Sequence, residues 1–499
     1  MKAETRNPWR FIPSLYFAEG LPYVIVNSVS VILYKNMGVS NAQIAFWTSW
    51  LYLPWVIKML WGPMVDMYGT RRKWAVYTQA LMALCLAAAA LSLGTPHFFS
   101  VSLAAFAVAA FISATHDIAV DGFYMLALTK EDQAFFVGIR SMFYRFAMIF
   151  GTGFLVYRAG RLQEAFCSVP DSWAIMLMAP AVIFLILFVY HRFALPYPAE
   201  DVPKAEAKPL TLLRSIGALC AYLLAAGALI WLFTMLHGVG QKLGAAAVLT
   251  TALILACRKF LFPWLKKQMA AGGSDQAAGG GNSFNEAFVS YFTQDGIGYI
   301  LAFILFYRLA EAMLLKLASP FLLDGIEKGG LAISTAEVGI IYGTVGIIAL
   351  ILGGVLGGWL ISKYGFRRCL WPMVFALHVP DVFYLYMAYA QPALQQLVVF
   401  GRNIPVGTVP LLVAAEQFGY GIGLTIFTVY LMMICKGKYK TAHFAISTGV
   451  MALGMMVPGM ISGILQQHIG YKHFFLTVCI LTIPGILVIF RLPIRDSAQ

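Results

Sequence analysis

Apolar runs long enough to cross a membrane follow one another along most of the chain, separated by short polar stretches rich in Lys and Arg. They predict helices near 11–34, 43–66, 73–93, 99–128, 134–157 and 173–195, then 212–236 and 244–265. Six more follow near 297–322, 336–361, 369–390, 408–434, 442–464 and 473–491. About 20 apolar residues suffice for a helix to span the hydrocarbon core. The pattern therefore predicts an all-α polytopic membrane protein with fourteen transmembrane helices, arranged as six, two and six. A membrane β-barrel would instead show short alternating segments.

The basic residues give an expected orientation. With the N-terminus in the cytoplasm, 23 Lys and Arg fall in inner loops and termini and seven in outer loops, the asymmetry of the positive-inside rule. Both termini are then cytoplasmic. The expected organisation is an N-terminal six-helix bundle at 1–197, a cytoplasmic linker with two inserted helices at 198–267, and a second bundle at 297–499. Between them, 268–296 is read as a flexible linker with Gly272, Gly273 and Gly279–Gly281, ending in a surface helix marked by Phe284, Phe288 and Phe292.

Composition narrows the classes. Of 499 residues 60% are hydrophobic and only 11% charged, against about 25% charged in soluble domains. The net charge of +13 is accounted for by topology, so no nucleic-acid partner is expected. Seven cysteines lie singly, without CxxC or metal spacing. There is no Walker loop, no Gly-x-Ser-x-Gly elbow and no HExxH motif. No cofactor, metal or enzymatic activity is expected. The first apolar run has full span length and reads as a helix rather than a cleavable signal peptide.

Ionisable residues inside spans are costly and mark functional positions. Asp117 and Asp121, four apart, share one helix face. Asp117 lies about 18 Å from the inner boundary, and Asp121 is one turn closer to the cytoplasm. Desolvation disfavours a carboxylate's charge, so the pair can hold a proton and release it when water or a cation approaches. A static ion pair with Arg140 or Arg145 is the other reading. Arg145, in mid-span, cannot be neutralised and needs a carboxylate or an anionic substrate. Arg140 is nearer the cytoplasmic end and can snorkel.

In the second block, Arg308 and Glu311 are three apart and can pair, with Glu311 a pathway candidate and Lys316 approaching the outer boundary. Glu416 opens a segment in which Gly419, Gly421 and Gly423 suit close helix packing. Glu19, beside Gly20 and Pro22, and Asp381, after Pro380, are further members. Tyr16, Tyr23, Tyr144, Tyr307 and Tyr420 offer hydroxyls and ring faces for a sugar, with plain packing the alternative for each. His116 adjoins Asp117 and can share its proton, whereas His378, His443, His468 and His473 have no partner in sequence.

One repeat is explicit. Gly62–Arg72 aligns without a gap on Gly358–Arg368, each copy closing the second helix of a block and opening the third. Two blocks in the same orientation are the parallel halves of a transporter. Gly62, Asp66, Arg71 and Arg72 in one copy, and Gly358, Arg367 and Arg368 in the other, are expected gating residues. Asp66 can latch the inner gate by pairing with cations or helix N-termini; a bare topology signal is the alternative. Ser362 takes the place of the acid in the second copy.

The Gly-x-x-x-Asp-x-x-Gly-x-Arg-Arg pattern at Gly62–Arg72 resembles the signature loop of the major facilitator superfamily, departing from it at Met67. Within that superfamily, Ser113–Asp121, Tyr144–Met148, Tyr307–Ala312 and Glu416–Gly423 resemble stretches of the AmpG-type muropeptide permeases and the related acetyl-CoA transporters. The resemblance implies a secondary active transporter that works by alternating access. It further implies proton-coupled import of anhydro-muropeptides for cell-wall recycling, by a monomer in the bacterial cytoplasmic (inner) membrane. Its partners would be that small-molecule solute, protons and the lipid bilayer. Import of another bulky anionic solute, such as a siderophore or an acyl-CoA-like molecule, stays open. Drug efflux fits less well, because buried cations repel cationic drugs, and a polytopic membrane enzyme has no need of paired blocks.

Overall fold

Several helices begin where the sequence supplies a side chain to cap their free N–H groups. Ser40 accepts from the Gln43 N–H, Thr70 from Lys73 and Thr129 from Asp132. Ser334 and Glu337 form a reciprocal capping box. The computed structural model describes residues 6–58, 61, 65, 69–201, 288–399, 402–435 and 439–493. The expected spans at 212–236 and 244–265, the linker at 268–283, and Gly62 and Asp66 of the repeat lie outside these residues.

The first block holds α1 (Pro8–Asn36), α2 (Asn41–Trp50), α3 (Arg71–Ser92), α4 (Phe98–Ala127), α5 (Lys130–Phe166) and α6 (Val169–Ala194). The second holds α7 (Ile297–Phe306), α8 (Leu309–Leu323), α9 (Thr335–Tyr364) and α10 (Phe366–Ala390). After a hairpin of β1 (Gln395–Val399) and β2 (Arg402–Val406) come α11 (Thr408–Met433) and α12 (Lys440–Ile489). Nine helical stretches among the described residues are long and apolar enough to cross a membrane. Of these, α12 is two helices joined at Gly470, whose φ of 72° suits glycine alone.

Three features depart from the expected pattern. The span at 297–322 is broken at Tyr307–Arg308 into α7 and α8. The loop after α10 folds into an antiparallel hairpin, with Leu397 opposite Ile404, where hydropathy suggested only a connection. Finally, α1, α5 and α9 each contain a π-helical turn, at Ile25–Val29, Ile149–Leu155 and Gly339–Gly346. Such turns widen a helix locally and are frequent at functional sites.

In lipid, apolar surface does not by itself drive helices together, so close packing of small residues does. α5 meets α9 at Gly153 and Gly343, and a Cβ on Gly343 would lie 2.0 Å from the Thr152 carbonyl oxygen. The glycines expected to pack closely in α11 do so: a Cβ on Gly421 would lie 2.1 Å from the Leu350 oxygen. Leu84, Leu91, Val355 and Leu411 are exposed, as lipid-facing residues are.

At the end away from the N-terminus, polar side chains join the two blocks. Asp324 is 2.6 Å from the Lys35 ammonium and accepts from Tyr471 Oη at 2.7 Å and Asn41 Nδ2 at 3.2 Å. Asn41 also donates to Gln466 at 2.9 Å. Beside this, Asn36 accepts from Gln163, Trp173 and Thr335. The chain's compact units are 1–203 with 298–434 and 447–499, and 204–297 with 435–446. In the second unit the described residues 288–292 are helical. His443, which has no partner in sequence terms, lies 2.7 Å from the Ser290 hydroxyl there.

Two measurements check this packing. Gly343→Val forces backbone apart and should destabilise by about 1–3 kcal/mol, read as a lower unfolding temperature in detergent. Asp324→Ala leaves Lys35 without its counter-charge, a change that costs about 3–5 kcal/mol when the pair is buried. It should open this end, so that a Ser319→Cys probe on the cavity wall reacts faster with a membrane-impermeant maleimide.

Candidate functional site

Below that polar closure lies a cavity of about 630 Å³. From α1 it is lined by Tyr16, Glu19 and Tyr23, from the α2 segment by Tyr52, Trp55 and Lys58, and from α4 and α5 by Asp117, Arg140, Tyr144 and Arg145. The second block contributes Arg308, Lys316, Tyr342, Gln417 and Tyr420.

The first block neutralises its charges in pairs. Asp117 Oδ2 accepts from Trp55 Nε1 at 3.0 Å and lies 3.6 Å from the Lys58 ammonium. Asp121 Oδ1 accepts from Tyr16 Oη and from Arg140 Nη1, both at 3.2 Å. Arg140 also lies 5.0 Å above the Tyr16 ring. The Asp121 and Arg140 side chains are 45% and 32% exposed, and Asp117 is 12%. Asp117 is thus the sealed member and Asp121 the one near the mouth. The static pair weighed for Asp117 is therefore made by Lys58, which sequence reasoning missed because 59 residues separate the two.

Glu19 lines the cavity with one carboxylate oxygen unpartnered among the described residues. Aromatic rings close around it. Tyr23 stands edge-on to Trp55 at 5.1 Å and near Tyr52 and Tyr144 at 6.3 and 6.4 Å.

The second block treats its charges differently. Arg308 does not pair with Glu311: its guanidinium donates to the Tyr420 hydroxyl. It sits in the break before α8, with φ −106°, so the helical three-residue spacing does not apply to it. Glu311 is fully buried, with neither oxygen hydrogen-bonded among the described residues, and it is absent from the cavity wall. Glu416 is buried too, accepting only from its neighbour Gln417 at 3.0 Å. Among the described residues neither Asp381 nor His378 has a side-chain hydrogen bond, and His378 Nδ1 lies 4.0 Å from Asp381 Oδ2. The charges of Glu311 and Glu416 both act on Asp381. Among the described residues none of the three forms an ion pair with a Lys or Arg, and three such carboxyls cannot all be charged in one low-dielectric region.

Arg145, Arg308 and Lys316 have no carboxylate within 4 Å among the described residues. Lys316, expected to approach the outer boundary, is buried on the cavity wall, donating to Thr48 of the first block at 2.8 Å. Tyr307 turns away from the cavity, stacking on Phe427 at 5.2 Å and donating to the Gly423 oxygen at 3.1 Å, so packing is its role. His116 contacts Gln79 at 3.2 Å, and Gln79 contacts His191 at 2.9 Å. That places its polar contact in the core of the first block, away from Asp117.

Of the expected gating residues, Arg71 and Arg72 donate backbone N–H groups to Asp201 at 2.7 and 2.9 Å. The Arg71 guanidinium reaches the Gly122 oxygen at 3.0 Å, and that of Arg72 stacks on Tyr197 at 3.8 Å. Both tie helices of the first block to one another. In the other copy, Gly358, Arg367 and Arg368 are exposed. No cluster of three or more metal-ligating side chains occurs among the described residues.

The model of the Major Facilitator Superfamily matches residues 14–267. An Escherichia coli K12 protein named anhydromuropeptide permease is 21% identical over 481 residues, covering 95% of this chain and 77% of that protein. A Rickettsia conorii protein named putative transporter AmpG 4 is also 21% identical, over 492 residues, 96% of this chain and 94% of its own. Among solved structures, a POT family transporter in complex with 5-aminolevulinic acid superposes with a TM-score of 0.62 at 13% identity, covering 97% of this chain and 95% of that one. The inward-open xylose transporter XylE of E. coli gives 0.57 at 12% identity, covering 98% and 97%. A model matching half its length, with the fold to go with it, makes this chain a member of the Major Facilitator Superfamily, a multi-pass secondary transporter rather than an enzyme.

Proposed function

We propose that the protein imports anhydro-muropeptides, driven by protons, across the bacterial cytoplasmic membrane. The observation that carries the reading is the cavity with three cations, Arg145, Arg308 and Lys316, none of which has a carboxylate within 4 Å among the described residues. A solute bearing carboxylates supplies the missing charge, and rings such as Tyr23, Tyr52 and Trp55 suit the apolar face of a sugar. The names of relatives matched over nearly the whole of this chain support a muropeptide as that solute.

In this reading both termini are cytoplasmic. The Asp324 network then closes the outer side, while the cavity mouth near Asp121 and Arg140 faces inward. Asp117 with Lys58, and the sealed carboxyls Glu311, Asp381 and Glu416, are the places where a proton can be held. Glu311, Asp381 and Glu416 lie off the cavity wall that carries Arg145, Arg308 and Lys316, so proton and solute have separate seats linked by the movement of the two blocks.

Uptake of labelled anhydro-muropeptide into proteoliposomes tests it. Accumulation should rise at least about tenfold when a proton gradient is imposed. Glu311→Gln should abolish that rise but leave solute exchange at equal pH within about twofold. Uptake indifferent to the gradient removes the coupling, and absence of uptake by protein that exchanges another solute removes the substrate.

A further inference from the structure

The second block presents its cations in an ordered way. Arg308, Ala312, Leu315, Lys316 and Ser319 all line the cavity, at spacings of four, seven, eight and eleven residues. Ala312, Leu315, Lys316 and Ser319 form a single stripe along α8, with Arg308 in the break just before it, and Glu311 falls off the stripe. Lys316 lies seven residues into α8 from its start at Leu309, about 10 Å along the axis from the end that carries Arg308. The wall between them, Ala312 and Leu315, is apolar.

Lys316 lies at the end nearer the polar closure and is 7% exposed. Its ammonium has three N–H donors and uses one, toward Thr48 at 2.8 Å. The Tyr52 ring stands 5.4 Å away, and the opposite wall is Gly459, where a Cβ would come within 3.4 Å of the Lys316 Cε. The adjacent Ser49 hydroxyl has no partner among the described residues. A buried ammonium with two idle donors and no carboxylate beside it is an anion seat waiting to be filled.

We infer that Lys316 binds a second anionic group of the solute, so that the transporter selects an elongated molecule with negative groups at both ends of an apolar or sugar-like body. One end would bind at Arg145 and Arg308 and the other at Lys316. This deepens the muropeptide reading and rests on it. Lys316 also spans the two blocks through Thr48, so an anion that draws the ammonium toward the cavity loosens that contact. Selection and movement are thus coupled at one residue.

The test is titration calorimetry in lipid nanodiscs with two probes: an anhydro-muramyl tripeptide, and the same molecule with its C-terminal carboxylate converted to carboxamide. The wild-type protein should bind the acid at least about tenfold more tightly than the amide. Lys316→Gln should weaken the acid about tenfold while leaving the amide within twofold, so the preference vanishes. Lys316→Arg should restore most of it. Lys316→Met serves as a second neutral variant if the Gln form aggregates. A preference that survives in the neutral variants, or a wild type indifferent to the two probes, overturns the inference and leaves the muropeptide reading standing. A wild type that binds neither probe overturns that reading itself.

Discussion

Desolvating an ion costs roughly several kcal/mol unless an opposite charge compensates, and this protein meets that constraint in two different ways. In the first block the compensation is internal. Lys58 faces Asp117 and Arg140 faces Asp121, so neither pair needs anything from outside. In the second block acids and bases are kept apart: Glu311, Asp381 and Glu416 are sealed in the helices, while Arg308 and Lys316 look into the cavity. Arg308 is turned from Glu311 by the break that ends α7 and is held by Tyr420 instead. Hydroxyls and ring faces lower the cost of these cations without cancelling their charge. The cavity therefore favours an anion, and the carboxyls stay available for protons.

The same separation relates chemistry to movement. Packing of α5 and α9 at Gly153 and Gly343, where the Thr152 hydroxyl donates to the Gly343 oxygen at 3.4 Å, brings the backbones of the two blocks together. Beyond it, Asp324 gathers donors from both blocks. Contacts made of hydrogen bonds and one ion pair can be exchanged for water as that end opens, which a dry interlocked interface could not do as readily.

Much of the fold was legible in the chain because hydropathy and caps act locally. Thr70, Thr129 and Ser334 mark helix starts within a few residues of the apolar runs, and Gly419–Gly423 signalled close packing that the structure contains. Partners distant in sequence were not legible. Nothing around Lys58 points to Asp117, and nothing at Arg71 or Arg72 points to Asp201, since those contacts come from tertiary packing. The Arg308–Glu311 pair failed for a local reason: the three-residue rule presumes an unbroken helix. Lys316 could have been found, because the stripe from Ala312 to Ser319 is visible on a helical projection, but an apolar segment near an expected boundary favoured the blander reading.

The central claim is that the cavity's unanswered cations are where the solute's negative groups bind. The structure of the protein with an anhydro-muropeptide bound tests this most directly. The account predicts the solute's carboxylates within hydrogen-bonding distance of Arg145 or Arg308 and of Lys316, with its sugar against Tyr23 and Trp55. A solute seated with its carboxylates away from all three cations would contradict it.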